Sequence, residues 1–353
     1  MRIYLNRDWV FNGKMVTIPH TVKETPFHYF DESEYQMVSI YQKEIDVPKE
    51  WEKKHVLLTF EGVAHSCEVF LNGEKIGEHH CGYTAFTLEL NGLLYGKKNT
   101  IQVKVDSRES LNVPPFGHVI DYMTYGGIYR DVYLDVKEKI YLQDVFLHTD
   151  LQTMTAEITR NINEESNVCR ISLCKETLHE IELCKENLHG MKTYLQFACP
   201  EVELWDEEHP NLYDIKVELL ENETVLDEKI IPFGFRKMEF RKDGFYLNGR
   251  KVKIRGLNRH QSYPYVGYAM PASMQRLDAD ILKFELGLNA VRTSHYPQSH
   301  DFISRCDEIG LMVFTEIPGW QHIGDAEWKN QAVKNVEEMI LQYRNHPSHP
   351  SSL

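Results

Sequence analysis

The chain has 353 residues, 42% of them hydrophobic and 11% aromatic, with a net charge of −14. Domains average roughly 100–200 residues, so two or three are expected rather than one compact core. Acids spread along the whole chain argue against a nucleic-acid backbone as partner, and no apolar run reaches the roughly 20 residues of a membrane helix.

The opening residues, MRIYLNRDWVFNG, carry Arg2, Arg7 and Asp8 and no apolar segment of signal-peptide type. The seven cysteines form no Cys-x-x-Cys and read as reduced thiols, so a cytoplasmic protein is expected. Residues 1–137 read as β. "HVLLTF" (55–60), "CEVFLNG" (67–73), "TIQVKVD" (100–106) and "DVYLDV" (131–136) are short runs, several alternating apolar with polar as a half-buried strand does. Asn72-Gly73 is a two-residue hairpin signal, because type I′ turns need positive φ. His79-His80-Cys81 looks like a metal cluster, but neighbours on a strand point to opposite faces, so no shared ion is expected.

Residues from about 138 to 234 read as a second, smaller β domain, with strands at "VFLHTD", "TAEITR", "VCRISLC", "IKVELL" and "EKIIPFGFR". The near-repeat "LCKETLHE" (173–180) and "LCKENLHG" (183–190) is too short for a solenoid and predicts a duplicated or lengthened hairpin. From 235 strands and helices alternate. "KVKIRGLN" (251–258) predicts a strand. The next helix is expected to be capped by Ser273 and stopped by Gly287, with its apolar positions Leu277, Ile281 and Leu282 on one face. "LNAVRTS" (288–294) predicts a strand, "SHDFISRCDEIG" a helix stopped by Gly310, and "LMVFTEIP" a third strand. A last helix, Asp325 to Tyr343, carries Trp328, Ala332, Val336, Met339, Ile340 and Tyr343 at helical spacing. This rhythm implies parallel βα units.

Polar groups then gather where each parallel strand ends: Asn258, Arg259 and His260 after the first, Arg292 and His295 after the second, Glu316 after the third. In a (β/α)8 barrel that face carries the active site. Taken singly, each residue also fits a cap or a loop.

From these residues the chain resembles glycoside hydrolase family 2, the β-galactosidase and β-glucuronidase group. Asn289 to Phe314, with Val291-Arg292-Thr293-Ser294-His295-Tyr296-Pro297, Asp307 and Gly310, follows the first family signature throughout. "GLNRHQ" (256–261) resembles the end of the first barrel strand, and "FLNGEKIGEHHCGYTAF" and "DYMTYGGIYRDVYL" the amino-terminal sandwich. The resemblance implies a multidomain β plus α/β fold: a jelly-roll-like sugar-binding β-sandwich (1–137), an immunoglobulin-like β-sandwich (138–234), and about the first three βα units of a TIM (β/α)8 barrel (235–353). It implies retaining hydrolysis of terminal β-D-galactosides. A β-glucuronidase-like hydrolase and a non-catalytic carbohydrate-binding fragment stay open as alternatives.

The resemblance also implies roles. His260 and His295 match histidines that bond sugar hydroxyls, and Asn258 a pocket residue beside them. Arg292 matches an arginine that orients the nucleophilic carboxylate. Asp121 matches an acid lent to the pocket by the first sandwich, and Glu316 a pocket-floor acid. By their own chemistry Arg292 also fits a structural ion pair and Asp121 a turn residue before Gly126-Gly127. Retention needs two carboxyl groups roughly 5–5.5 Å apart. The family takes them from the fourth and seventh strands, so neither catalytic glutamate is expected within residue 353. The chain then reads as truncated within its barrel and inactive alone, with a bare edge beside its third strand. The family uses magnesium or sodium, but no cofactor or metal ligands are identifiable, Trp320 and Gln321 standing where a glutamate would be sought. Expected partners are a β-galactoside or related oligosaccharide, a second copy in a homo-oligomer, or a complementing carboxy-terminal fragment.

Overall fold

The computed structural model describes residues 1–25, 31–110, 112–117, 120, 122–162, 167–175, 179–199, 201–319 and 321–350. Beside a two-stranded sheet, 63–64 with 127–128, the first 137 residues build two large antiparallel sheets. One runs in spatial order 14–16, 9–11, 38–47, 97–106, 66–71, 74–79, the other 2–4, 132–137, 55–60, 86–89. Alternation decides which side chains meet between them. Ile101, Val103 and Val105 point inward from one sheet and Val56, Leu58, Phe60 and Leu134 from the other, all nearly fully buried. The Asn72-Gly73 hairpin forms, with φ of 52° and 90°.

The second unit packs the sheet 142–150, 153–160, 192–198 on the sheet 179–187, 168–175, 213–221, 224–233 around Ile158, Ile171, Ile215 and Val217. The near-repeat falls on an antiparallel pair, Leu173 opposite Ile181, whose connecting residues 176–178 lie outside the described set.

The third unit departs from expectation at its start. "KVKIRGLN" is not one strand. Arg250–Val252 pairs antiparallel with Gly244–Leu247, and only Gly256–Asn258 begins the parallel sheet. The cause is a second Asn-Gly turn, Asn248 and Gly249 at φ 53° and 78°, which sends the chain back on itself. Gly256–Asn258, Ala290–Thr293 and Met312–Thr315 then lie parallel in that order. Val291 and Val313 face the helices, against Phe302, Ile303 and Cys306. Ala290, Met312 and Phe314 face the other side, where Phe245, Leu247 and Trp205 close the bottom.

Helix α2, His300–Ile309, has Ser299 as its N-cap and Gly310 at φ 72° as its stop. Helix α1, Ala272–Asp280, begins at Pro271 rather than Ser273, with no side-chain cap. It widens into a π-helical turn at Ile281–Glu285 before Gly287 at φ 65°. Its buried face is Gln275 and Ala279, while Leu277 is 44% exposed. Helix α3, Ala326–Tyr343, is capped by Asp325, which accepts from the Trp328 amide. It buries Trp328, Asn335 and Tyr343, but Ile340 stays exposed. The edge expected to be bare is met at one point, where the Val313 amide donates to the Ser348 carbonyl at 2.9 Å. Among the described residues no helix is long and apolar enough to cross a membrane.

Candidate active site at the ends of the parallel strands

Strand register sets the site. Asn258 lies beside Arg292, which lies beside Phe314. With a side-chain period of two, Arg292 shares the inner face with Ala290, opposite Val291 and Thr293. Asn258, Leu257, Arg292 and Phe314 line a hollow of about 360 Å³.

Arg292 forms a fork on Glu316. Its Nε donates to Oε2 at 3.0 Å, and Nη2 to Oε1 and Oε2 at 2.9 and 2.8 Å. Planar pairing of this kind fixes both groups in one orientation. His295 brings Nδ1 within 2.6 Å of Glu316 Oε1 and 3.4 Å of Arg292 Nη2. The short contact favours the tautomer with hydrogen on Nδ1, donating to the carboxylate. Within this chain, the carboxylate Arg292 meets is therefore Glu316. Both oxygens of Glu316 are engaged, so it is built to orient its neighbours rather than to hand a proton to a leaving group.

His260 joins from the first strand. Its ring centroid is 5.3 Å from that of His295, and its Nδ1 is 3.3 Å from the Tyr296 hydroxyl. Arg259 does not join. Its guanidinium turns back into the helical layer, donating to Asp278 at 2.7 Å and Gln275 at 2.8 Å, and lies 4.0 Å over the Phe302 ring. Adjacent residues leave a strand on opposite sides, and a buried guanidinium needs carboxylate and amide partners, which Asp278 and Gln275 of helix α1 and Gln298 before α2 supply.

Asp121 lies outside the described residues; the residue after it is described. The Tyr122 ring stands 5.1 Å from His260 and 5.7 Å from His295. Tyr83 of the same sandwich stacks on Tyr296 at 4.3 Å with the planes 12° apart. Arg130, buried, ties the two units together. It donates to the Tyr83 carbonyl at 2.9 Å, to Gln261 Oε1 at 3.1 Å and to the Pro297 carbonyl at 3.0 Å. Its partners flank His260 and His295, so a sandwich residue sets the height of both histidines. Tyr83, Tyr122 and Arg130 were not singled out from sequence. The available signal was their position inside the two quoted sandwich stretches, Tyr83 in "FLNGEKIGEHHCGYTAF" and Tyr122 and Arg130 in "DYMTYGGIYRDVYL".

Among the described residues no three His, Cys, Asp or Glu side chains gather as a metal-binding group. The donors at the strand ends, His295 and Glu316, face the Arg292 cation, which opposes a metal ion there. Trp320 lies outside the described residues. His79 turns from its neighbours to Glu338 of α3 at 3.1 Å.

Comparison with known proteins agrees along nearly the whole chain. The sugar-binding domain of the glycosyl hydrolases family 2 matches residues 8–138, a second family 2 domain 140–236, and the family 2 TIM barrel domain 238–349. A β-galactosidase of Thermoanaerobacter pseudethanolicus is 46% identical over 359 residues, covering 95% of this chain and 47% of the relative. One from Thermoanaerobacterium thermosulfurigenes is also 46% identical, over 94% of this chain and 48% of its own length. The solved structure of Bacteroides uniformis β-glucuronidase 2 superposes with a TM-score of 0.88 at 26% identity, covering 99% of this chain and 46% of that one. The chain thus spans about half the length of the curated relatives it matches. With three consecutive domain matches of one family and a strand-end cluster on its barrel portion, the chain belongs to glycosyl hydrolase family 2.

Proposed function

We propose that this chain carries the substrate-positioning part of a β-galactosidase pocket and does not turn over substrate alone. The observation that carries the reading is the Arg292–Glu316–His295 cluster, with His260 and Tyr122 closing on it from the first strand and from the sandwich. Imidazoles both donate and accept, which suits sugar hydroxyls. Arg292 joins this cluster to a hollow beside the first parallel strand that Asn258 also borders, and the Asp121 segment is proposed to add an acid to the cluster. Retaining hydrolysis needs two working carboxyl groups roughly 5–5.5 Å apart, and Glu316 is already committed on both oxygens. The acid/base and the nucleophile would then come from a carboxy-terminal segment, supplied in the same polypeptide or by a complementing one. The 46% identity to two β-galactosidases favours a galactoside over a glucuronide.

The test joins residues 1–350 to the remaining half of the Thermoanaerobacter pseudethanolicus β-galactosidase. The chain alone is expected to leave 4-nitrophenyl β-galactoside intact. The chimera is expected to hydrolyse it in preference to the glucuronide, and His295→Ala to lower kcat/KM about a hundredfold. Turnover by the chain alone would overturn the positioning role, and preference for the glucuronide would overturn the substrate.

A further inference from the structure

A second hollow lies far from the strand ends, between the two sandwiches, with a volume of about 750 Å³. That is within the range of roughly 300–1,000 Å³ typical of small-molecule sites. We propose that it is a carbohydrate-binding cleft for a neutral oligosaccharide, separate from the strand-end pocket and independent of the reading given for that pocket.

Its floor is the outward face of the sheet 2–4, 132–137, 55–60, 86–89. Register places Tyr133, Thr59 and Thr87 in one row across three strands, and Arg2, Asp135, Leu57 and Glu89 in the next across all four. Tyr141, Gln143 and Lys229 of the second sandwich form the wall. The floor is rigid. Arg2 donates to Asp135 through Nε at 3.1 Å and Nη2 at 2.8 Å, and its guanidinium lies 3.8 Å over the Tyr133 ring. The Thr59 and Thr87 hydroxyls are 2.8 Å apart.

Charge balance selects the ligand class. Arg2 is matched by Asp135 and Lys137 by Asp227 at 2.8 Å. Lys229 donates to the Gln143 carbonyl at 3.1 Å, and the carboxylates of Glu89 and Glu228 share the same lining. A phosphate or a polyanion would meet two cations already paired with carboxylates and two further carboxylates. A chain of hydroxyls meets something different: fixed, planar groups and threonine hydroxyls that can donate or accept without reorganising. The open cleft between two domains has room for several sugar units along the sheet rows.

The experiment is calorimetric titration of the full chain with β-1,4-galactotetraose, with tetragalacturonate as the anionic arm. Thr87→Trp and Gln143→Trp each fill the cleft from an exposed position, one on each domain. Saturable binding of the neutral tetramer is expected, weakened roughly tenfold or more by either tryptophan and untouched by His295→Ala. Should one tryptophan variant lose its folded circular-dichroism spectrum, the other decides. The proposal is overturned by the absence of saturable binding at millimolar ligand. It is equally overturned if His295→Ala abolishes binding while a folded tryptophan variant keeps it, or if tetragalacturonate binds more tightly.

Discussion

Glu61 shows how one side chain can work against the fold that holds it. Burial, followed by the like charge of Asp131, raises its carboxyl to about 7, while Arg130 opposes the shift. A folded-state value above the unfolded one means the folded protein holds the proton more tightly. That stabilisation is present below the ordinary value of 4.5 and is lost as pH rises through 7. Glu61→Gln is therefore expected to unfold at the same urea concentration as the parent near pH 4, and at a higher one at pH 8. Equal midpoints at pH 8 would mean that the site is solvated. Arg292 makes a different point at the same scale. Its place at a strand end was legible from "NAVRTSHYP", because the motif is contiguous. Which carboxylate it would meet was not, because Glu316 comes from the next strand and only the parallel register sets them side by side.

At the scale of elements, the glycine stops of α2 and α1 were read from sequence, while the Ser299 cap of α2 was not singled out and the start of α1 was placed at the wrong residue. Ser299 and Gly310 serve α2 as local chemistry requires: the serine oxygen accepts from the Asp301 amide, and the glycine takes the left-handed conformation. Gly310 has a second constraint. A Cβ there would stand 2.8 Å from the Glu207 carbonyl oxygen and 2.9 Å from that of Asp206. Gly310→Ala is expected to cost the 1–2 kcal/mol of the left-handed conformation, roughly, and more from the clash with backbone that cannot swing away. Thermal melting checks it, and an unchanged Tm would show that the turn relaxes. Helix α1 was misjudged because burial there follows pairing rather than hydropathy. Gln275 is buried since it accepts from the buried Arg259, and Leu277 is left outside. The run "KVKIRGLN" was misjudged because its first residues belong to a hairpin. Asn248-Gly249, the same local signal as Asn72-Gly73, lies just before that run and pairs its start with Gly244–Leu247.

For the whole molecule, histidines buried against aromatic rings in the first and third units carry its response to acid. Burial pushes His65, His300 and His349 down to about 3. His65 lies against Tyr83 and Phe116, and His300 and His349 lie against Tyr343 of α3. A base held neutral in the fold but free to protonate when unfolded gives stability that is complete above about 6.5 and lost as pH falls toward 3. Each group costs about 1.4 kcal/mol per unit across that window. The urea midpoint is expected to drop steeply from pH 6.5 to 4, with proton uptake on unfolding in calorimetry. A flat profile to pH 4 would contradict neutral burial of these rings.

The sequence by itself determined what is local and periodic: several strands of both sandwiches, the βα order, the glycine stop of α2 and the family signature. Alternation and helical spacing need no knowledge of the rest of the chain. Only the tertiary structure decided what is pairwise and distant. It turned Arg259 away from the pocket, gave Glu316 to Arg292, and set Tyr83, Tyr122 and Arg130 against strand ends far along the chain. A buried charge or ring hydroxyl takes the partner that packing leaves within reach, and packing depends on every element at once.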